Sequence, residues 1–331
     1  MLTTSVSANL LPGIDSRGRW RRLRKFFFPR DSGEWLTILR IGLGLEVVLY
    51  ALSLYSDWSR MFGNTTTGFL TREFTEALLS IQSPLVPRIG WLLSIGQRVG
   101  LNEQTTLAIV WSVLFAAGIF LVIGLFSRSA AMVGWLLHLC VAKTGGYLAY
   151  GMDNFLTIGL FYLMISPLPD ARALDQKFWR KRTADPKLVG FSRRVLQLHL
   201  CVIYFVGGLT KCLGAGWWNG DSMWRALIRP PFDLIPSQTL MEWQPLLLVT
   251  GIMVCLLEVG FPILIWPKKT RVICLTAIIG MHVGIGLTMG LYLFSLVMIV
   301  LNLAAFAPGL AVWGWRQKMS SAARHLTSGI F

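Results

Sequence analysis

Long apolar runs alternate with short polar segments along this chain. Eight such runs can be delimited, at about 35–55, 105–126, 130–149, 152–168, 194–213, 245–266, 271–289 and 291–313. Each run is close to the length of about 20 residues that an α-helix needs to cross the hydrocarbon core of a bilayer. The pattern therefore predicts an all-α, polytopic transmembrane helical bundle of about eight helices.

Two of the predicted boundaries depend on tight glycine-rich turns. Gly145, Gly146 and Gly151 separate the third run from the fourth, and Gly286 to Gly290 separates the seventh from the eighth. If the last two runs formed a single broken helix, the chain would have seven spans instead of eight.

The composition indicates that lipid is the main solvent of the chain. Of 331 residues, 54% are hydrophobic and 14% are charged, whereas a soluble domain averages about 25% charged residues. The five cysteines include no CxxC pair. We therefore expect them to be small packing residues, and we expect neither a metal site nor a disulfide.

The net charge of +15 would suggest a nucleic-acid partner in a soluble protein. In a membrane protein, basic residues instead accumulate in cytoplasmic loops. If the N-terminus is cytoplasmic, the predicted cytoplasmic segments carry most of the 31 Lys and Arg residues. The predicted external segments carry only Arg60, Arg72, Arg88, Arg98, Arg225 and Arg229.

This charge distribution predicts an inner-membrane protein with both termini in the cytoplasm. We expect a basic tail at 1–33, a transmembrane domain at 34–314 and a second basic tail at 315–331. The expected partner is the lipid bilayer, and no nucleic acid is expected.

Two connections between the runs are long enough to form structure of their own. Residues 56–104 contain an amphipathic stretch that predicts a helix lying on the membrane surface. The apolar face of that helix would consist of Leu85, Ile89, Leu92 and Val99. Residues 214–244 hold Trp217 and further tryptophans and prolines, which predicts a short structured loop at the level of the headgroups.

Ionisable side chains inside the apolar runs are the candidate functional residues, because a charge at membrane depth costs a few kcal/mol and needs a partner, water or a purpose. They are Arg40, Glu46, His138, Lys143, Asp153, His199, Lys211, Glu258 and His282. From a rise of about 1.5 Å per residue, Lys143, Asp153 and Lys211 share one layer in the outer leaflet. Glu258 and His282 lie nearer the middle.

Each of these residues also has a structural interpretation. Lys211 can extend its ammonium group to the outer surface, and Arg40 can extend its guanidinium group to the inner surface. Glu258 and His282 are too deep for this. They can either form a buried pair that fixes helix packing, or handle protons or a ligand.

The chemistry of Lys211 depends on its surroundings. A lysine in a pocket of low dielectric constant can become a neutral amine, which is a base. A nearby carboxylate would instead keep the lysine charged and make it an anion-binding group. The sequence leaves both alternatives open.

One stretch of the chain carries a family resemblance. Residues 204–223 read Tyr-Phe-Val-Gly-Gly-Leu-Thr-Lys-Cys-Leu-Gly-Ala-Gly-Trp-Trp-Asn-Gly-Asp-Ser-Met. They resemble the core motif of the HTTM family, the transmembrane domain shared with vitamin K-dependent gamma-carboxylase. In this resemblance the catalytic base lysine of the carboxylase falls on Lys211. Similar fragments lie at 39–44, 124–169, 257–262 and 281–294, so that the resemblance covers about 35–310.

The chain also departs from the carboxylase. We expect no large extramembrane region after the last apolar run, and Asp153 stands where the carboxylase has a histidine. We therefore do not expect carboxylation of a protein substrate. The resemblance does imply a pocket for a quinone-like or lipid-like molecule beside Lys211. Related proteins of the sporulation-delaying protein B and DoxX-like families imply a role in peptide-toxin maturation or in quinone-linked redox chemistry.

These observations lead to three hypotheses about function. The first is a membrane-embedded enzyme that acts on a hydrophobic or membrane-delivered substrate, with Lys211 as base or anion-binding group and Asp153 as a second catalytic residue. Its ligand-binding residues would be Lys143, Glu258, His282 and Trp217.

The second hypothesis is a non-catalytic membrane subunit of a peptide-maturation or redox complex, with a membrane or secreted peptide or protein partner. The third is a transporter, although no inverted repeat is visible.

Overall fold

A computed structural model of the protein describes residues 16–63, 71–146, 149–179 and 184–310. Within these ranges the secondary structure consists of α-helices joined by turns and short loops. The helices are α1 (Ser16–Phe27), α2 (Glu34–Ser53), α3 (Trp58–Phe62), α4 (Arg72–Gln82), α5 (Ile89–Arg98), α6 (Glu103–Ile123), α7 (Ser127–Thr144), α8 (Gly151–Ile165), α9 (Leu174–Trp179), α10 (Pro186–Cys212), α11 (Ala215–Trp218), α12 (Asp221–Ile228), α13 (Ser237–Glu242), α14 (Gln244–Leu264), α15 (Lys268–Met289) and α16 (Tyr292–Phe306).

Each of the eight apolar runs predicted from the sequence overlaps one helix of 15 to 27 residues. They are α2, α6, α7, α8, α10, α14, α15 and α16. In the described part of the chain, five of them (α2, α6, α10, α14 and α15) are long and apolar enough to cross a membrane, and α8 and α16 are shorter apolar helices. The prediction of an all-α, multi-pass membrane fold is thus confirmed, while the number of crossings and the side of each terminus stay predictions.

Local sequence signals begin and end these helices. Asn102 precedes α6 and its side chain accepts a hydrogen bond of 2.7 Å from the Thr105 N–H, which satisfies one of the free amides of the first turn. Gly290 ends α15 with a φ of 69°, in the left-handed region that glycine tolerates best. The chain turns there, and α16 packs back against α15 where Gly286 meets Ser295. The seventh and eighth runs are therefore two separate helices.

Helix α2 forms the centre of the first half of the bundle, where it packs against α6, α8 and α16. Small residues make these contacts close. A Cβ atom added to Gly44 would lie 2.8 Å from Leu121 of α6, and one added to Gly118 of α6 would lie 2.8 Å from Val48. Such crossings through small residues are typical of helix packing in membranes.

The second half of the bundle is built on the contact between α10 and α14. A Cβ atom at Gly208 would lie 2.7 Å from the Glu258 Cβ atom and 2.7 Å from the backbone nitrogen of Val259. The two helices therefore touch through their backbones at this depth. This close approach allows side chains from the two helices to meet.

The segment predicted as a structured loop at 214–244 contains the short helices α11, α12 and α13. They cover the end of α14 through a small apolar cluster of Leu227, Leu240 and Leu247. The backbone carbonyl of Trp217 lies close to Gly251 of α14. The loop is therefore a helical cap on the end of the bundle that carries Lys211.

The amphipathic helix predicted in 56–104 is present as α5, but its predicted apolar face is wrong in part. Helix α5 covers Ile89–Arg98, so Leu85 and Val99 lie outside it and do not share its face. Of the apolar residues within the helix, Ile89 and Leu93 are buried against the bundle.

At the opposite end of the bundle, Arg40 does not extend its side chain to the surface. It is 1% exposed and forms an ion pair of 2.6 Å with Asp170, in the segment that follows α8. The Asp175 carboxylate, at the start of α9, accepts hydrogen bonds from the Phe126 and Ser127 N–H groups. These carboxylates attach the loop between α8 and α10 to the bundle. The basic tail predicted at 315–331 lies outside the described residues.

Candidate functional site

The ion pair between Lys211 and Glu258 is the centre of the candidate site. The Lys211 Nζ atom, in the last turn of α10, lies 2.5 Å from the Glu258 Oε2 atom of α14. The Glu258 side chain is 8% exposed and the Lys211 side chain is 27% exposed. Lys211 follows Gly208 by one helical turn, so the backbone contact at Gly208 brings the Lys211 and Glu258 side chains together. The pair therefore has one buried member and one that is partly open.

The helical cap contributes an aromatic ring to the same place. The Lys211 Nζ atom lies 5.5 Å from the ring centre of Trp217 in α11, within the range of a cation–π interaction. The turn that leads into α11 is closed by a hydrogen bond from the Gly214 N–H to the Lys211 carbonyl. The ammonium group is thus held between a carboxylate on one side and an indole on the other.

A second polar group lies deeper in the same half of the bundle. The Tyr204 hydroxyl lies 2.8 Å from the His282 Nε2 atom and accepts a hydrogen bond of 2.6 Å from the Asn302 amide. All three side chains are buried. The Tyr204 hydroxyl therefore bridges the asparagine amide and the imidazole. This arrangement connects α10, α15 and α16.

Tyr204 and Lys211 are seven residues apart on α10, so they project from the same side of the helix, two turns apart. The His282 Nδ1 atom and the Asn302 Oδ1 atom have no hydrogen-bond partner among the described residues. In the apolar core, such unpaired atoms are uncommon and costly. Polar side chains therefore extend from Lys211 toward the interior of the bundle, and two of their atoms are left without a hydrogen bond.

Asp153 belongs to a different group, formed by α2, α7 and α8. Its carboxylate lies 3.6 Å from the His138 Nε2 atom and accepts a hydrogen bond of 2.9 Å from the Tyr150 N–H. The other ring nitrogen of His138 lies 3.1 Å from the Thr157 hydroxyl. Tyr50, Tyr150 and Asp153 line a cavity of about 130 Å³.

Glu46 is the third acidic residue that the sequence places inside an apolar run, after Asp153 and Glu258. It is 0% exposed, and neither carboxyl oxygen has a hydrogen-bond partner in the described part of the chain. It precedes Tyr50 by one turn on the same side of α2. Glu46 was therefore identified from the sequence as a costly buried group, and the described residues supply no hydrogen-bond partner for it.

Comparison with known families adds one observation to this geometry. A model of the HTTM domain matches residues 95–309, which is well over half of the chain. The chain belongs to the HTTM family. The matched range includes Asp153, Lys211, Glu258 and His282, but not Arg40 of α2. No curated protein and no solved structure matches the chain.

The HTTM fold of this chain brings some of the predicted site residues together and separates others. Lys211, Glu258 and Trp217 form one cluster, and His282 lies in the adjoining Tyr204 group. Among the described residues Asp153 and Lys143 form no ion pair with Lys211, and their common depth with Lys211 stays a prediction. The Asp153 carboxylate lies beside His138 instead. Lys143 is half-buried in the last turn of α7 and forms no ion pair with a described residue.

Aromatic side chains fill the space between the two polar groups. The ring of Phe294 lies 5.7 Å from the His282 ring and 5.9 Å from the Phe155 ring, measured between ring centres. Phe294 also packs against Gly151 at the start of α8. The Lys211 group and the Asp153 group are therefore adjacent but distinct.

Sequence reasoning missed Tyr204 and Asn302 as parts of the site. Tyr204 could have been found from its spacing of seven residues before Lys211, which places two polar side chains on one helix face. Asn302 is a lone amide inside an apolar run, and such a residue needs a partner at membrane depth.

Proposed function

We propose that this multi-pass HTTM protein is a membrane-embedded enzyme that removes a proton from a hydrophobic, membrane-delivered substrate. Lys211 is the base and Glu258 is its proton partner. The observation that carries the proposal is the Lys211–Glu258 pair, in which a buried carboxylate holds a lysine that stays partly open. A lysine whose only task was to reach water would not need a buried carboxylate at 2.5 Å.

The pair supports base chemistry because its proton has two possible positions. If the proton moves from the Lys211 ammonium to the Glu258 carboxylate, both groups become neutral, and a low dielectric constant favours that form. The free amine can then take a proton from a substrate X–H bond, which leaves an anion X⁻ beside the new ammonium. This attraction stabilises the anion as it forms. The Glu258 proton then goes to a different atom of the anion, so the balanced reaction is an isomerisation of the substrate that restores the ion pair.

The partial exposure of Lys211 supports a substrate that comes from outside the bundle. The Lys211 side chain stays 27% exposed, although its partner Glu258 is 8% exposed. On the opposite face of α10, Val206, Leu209 and Leu213 are exposed and face the acyl chains. In our proposal a quinone-like or lipid-like molecule from this lipid reaches the exposed part of Lys211 beneath the helical cap.

Asp153 and Lys143 have no part in this step as we propose it, since neither contacts the pair. His282 supports the site indirectly, because the Tyr204 hydroxyl fixes its ring below Lys211. We assign Trp217 a role in substrate binding, because its ring covers the Lys211 ammonium group.

The test is a comparison of cells that make the wild-type chain, Lys211→Met, Glu258→Gln or the control Lys269→Met. Lys269 is an exposed lysine at the other end of the bundle. Lipid extracts and secreted material are compared by liquid chromatography coupled to untargeted mass spectrometry, which separates isomers of equal mass, with membrane insertion checked by blotting. We expect a product that disappears with Lys211→Met, is strongly reduced with Glu258→Gln and persists with Lys269→Met.

Other outcomes would overturn the proposal. If Lys211→Met inserts normally and every lipid-soluble and secreted species is unchanged, Lys211 is not a catalytic base. A stoichiometric protein partner that co-purifies equally with the wild type and Lys211→Met, together with that unchanged profile, would instead support a non-catalytic subunit.

A further inference from the structure

Helix α1 (Ser16–Phe27) presents two chemically different faces. Trp20, Leu23 and Phe27 follow one another at spacings of three and four residues, so they share one side of the helix. The remaining surface is basic and includes Arg21, Arg22, Arg24 and Lys25. The helix is therefore strongly amphipathic and cationic.

The apolar face of α1 is largely uncovered by the described part of the chain. Trp20 is 73% exposed, Leu23 is 48% exposed and Phe27 is 37% exposed. Single apolar side chains on a surface are ordinary, but three in a row along one helix face form a patch. Burial of such a patch contributes roughly 25 cal/mol per Å², so the face favours an apolar environment.

The C-terminal end of α1 is attached to the bundle at a defined place. The Arg194 guanidinium of α10 lies over the Phe26 ring at 4.4 Å and donates a hydrogen bond of 2.9 Å to the Phe26 carbonyl. The Phe26 ring also lies 5.6 Å from Trp266, beside the end of α14. Just beyond the helix, Asp31 pairs with Arg193 at 2.7 Å. These contacts hold α1 at the end of the bundle where α14 ends and α15 begins.

We propose that α1 lies on the anionic lipid surface at this end of the bundle. Its apolar face enters the boundary between headgroups and acyl chains, and its basic residues contact lipid phosphates. Basic amphipathic helices with Trp, Phe and Leu on the apolar side bind membranes in this way, and each Lys or Arg near an anionic surface adds to the attraction. A nucleic acid would neutralise the basic face but would leave the apolar face in water.

The experiment uses the full chain in nanodiscs of phosphatidylcholine alone or mixed with phosphatidylglycerol. Hydrogen–deuterium exchange of the peptide that covers α1 reports the fraction of bound helix. We expect stronger protection in the anionic discs, and weaker protection when salt is added, because salt screens the charges. This readout is independent of whether the protein is an enzyme.

Two variants separate the contributions of the two faces. Replacing four of the six basic residues of α1 (Arg21, Arg22, Arg24 and Lys25) with Gln should weaken the preference for anionic discs, by about fivefold in the bound-to-free ratio for each residue. The triple change Trp20→Ser, Leu23→Ser and Phe27→Ser should reduce protection in both kinds of disc. The matched control neutralises four exposed lysines at the same end of the bundle and should leave the protection of α1 unchanged. Those residues are Lys177, Lys187, Lys268 and Lys269.

The proposal is overturned by equal protection of α1 in neutral and anionic discs. It is also overturned if the control lowers protection as much as the α1 variant does, because the effect would then be one of total charge. Protection that appears only when nucleic acid is added would identify a different partner.

Discussion

The buried ion pair between Arg40 and Asp170 provides the most quantitative test of how the bundle is held together. The side chains are 1% and 0% exposed, with the Arg40 Nε atom 2.6 Å from the Asp170 Oδ1 atom. The other carboxylate oxygen of Asp170 accepts hydrogen bonds from the Thr37 hydroxyl at 2.5 Å and the Arg172 N–H at 3.2 Å. The Arg40 guanidinium also donates to the carbonyl of Leu121. The ion pair and the hydrogen bonds from Thr37 and Arg172 all depend on the Asp170 carboxylate.

The perturbation is Asp170→Asn, which keeps the shape and removes the charge. It leaves the Arg40 guanidinium buried without a counter-ion, and breaking a buried pair in this way costs about 3–5 kcal/mol. In either orientation the new amide also points its N–H₂ group at a donor, which contributes about 1–3 kcal/mol of that loss. The double variant Arg40→Met with Asp170→Asn removes the unpaired charge, so its cost should be below the sum of the single costs by about 2 kcal/mol.

The assay is unfolding of the purified protein in mixed micelles by titration with dodecyl sulfate, followed by tryptophan fluorescence. The matched control is Asp185→Asn, because Asp185 is exposed and only accepts a capping hydrogen bond of 2.9 Å from the Lys187 N–H. Asparagine caps a helix about as well as aspartate, so we expect a change below about 0.5 kcal/mol. The reasoning is refuted if Asp170→Asn is as stable as this control, or if the two single costs simply add.

Two further predictions concern the second half of the bundle. Gly208→Ala should destabilise the protein by about 1–3 kcal/mol, because the new Cβ atom would lie 2.7 Å from the Glu258 Cβ atom. Its control is Gly284→Ala, whose new Cβ atom meets no atom within 4 Å. This control should be neutral or stabilising in the same titration. Tyr204→Phe should cost about 1–3 kcal/mol, because the hydroxyl that bridges a buried histidine and a buried asparagine is lost. Tyr292→Phe is its control, since Tyr292 is 61% exposed, and equal stability of the two tyrosine variants would contradict the role given to the bridge.

Most of the fold follows from the distribution of apolar residues. The eight runs overlap eight apolar helices because a chain in lipid must satisfy its backbone hydrogen bonds within each segment. A tight turn was predicted within Gly286–Gly290, and the structure places it at Gly290, where glycine tolerates the left-handed conformation without a Cβ penalty. The face of α5 was assigned incorrectly because a pattern over a few residues does not fix where a short helix begins.

The site was predicted only in part. Lys211, Glu258, His282 and Trp217 were selected as polar or aromatic residues in or beside apolar runs, and the structure brings them into one half of the bundle. Depth along a helix was inferred from the rise per residue, but depth gives no direction around the bundle. For that reason Asp153 was expected beside Lys211, whereas its carboxylate lies 3.6 Å from the His138 Nε2 atom.

The sequence alone determined that the chain is a membrane protein of helices, which residues are costly to bury, and which family it resembles. Those properties depend on the order of residues along each helix. Tertiary structure decided the partners: Asp170 for Arg40, and Glu258 for Lys211. The physical reason is that pairing in lipid depends on which helix faces meet, and the close backbone contact at Gly208 is fixed by packing between segments about 50 residues apart.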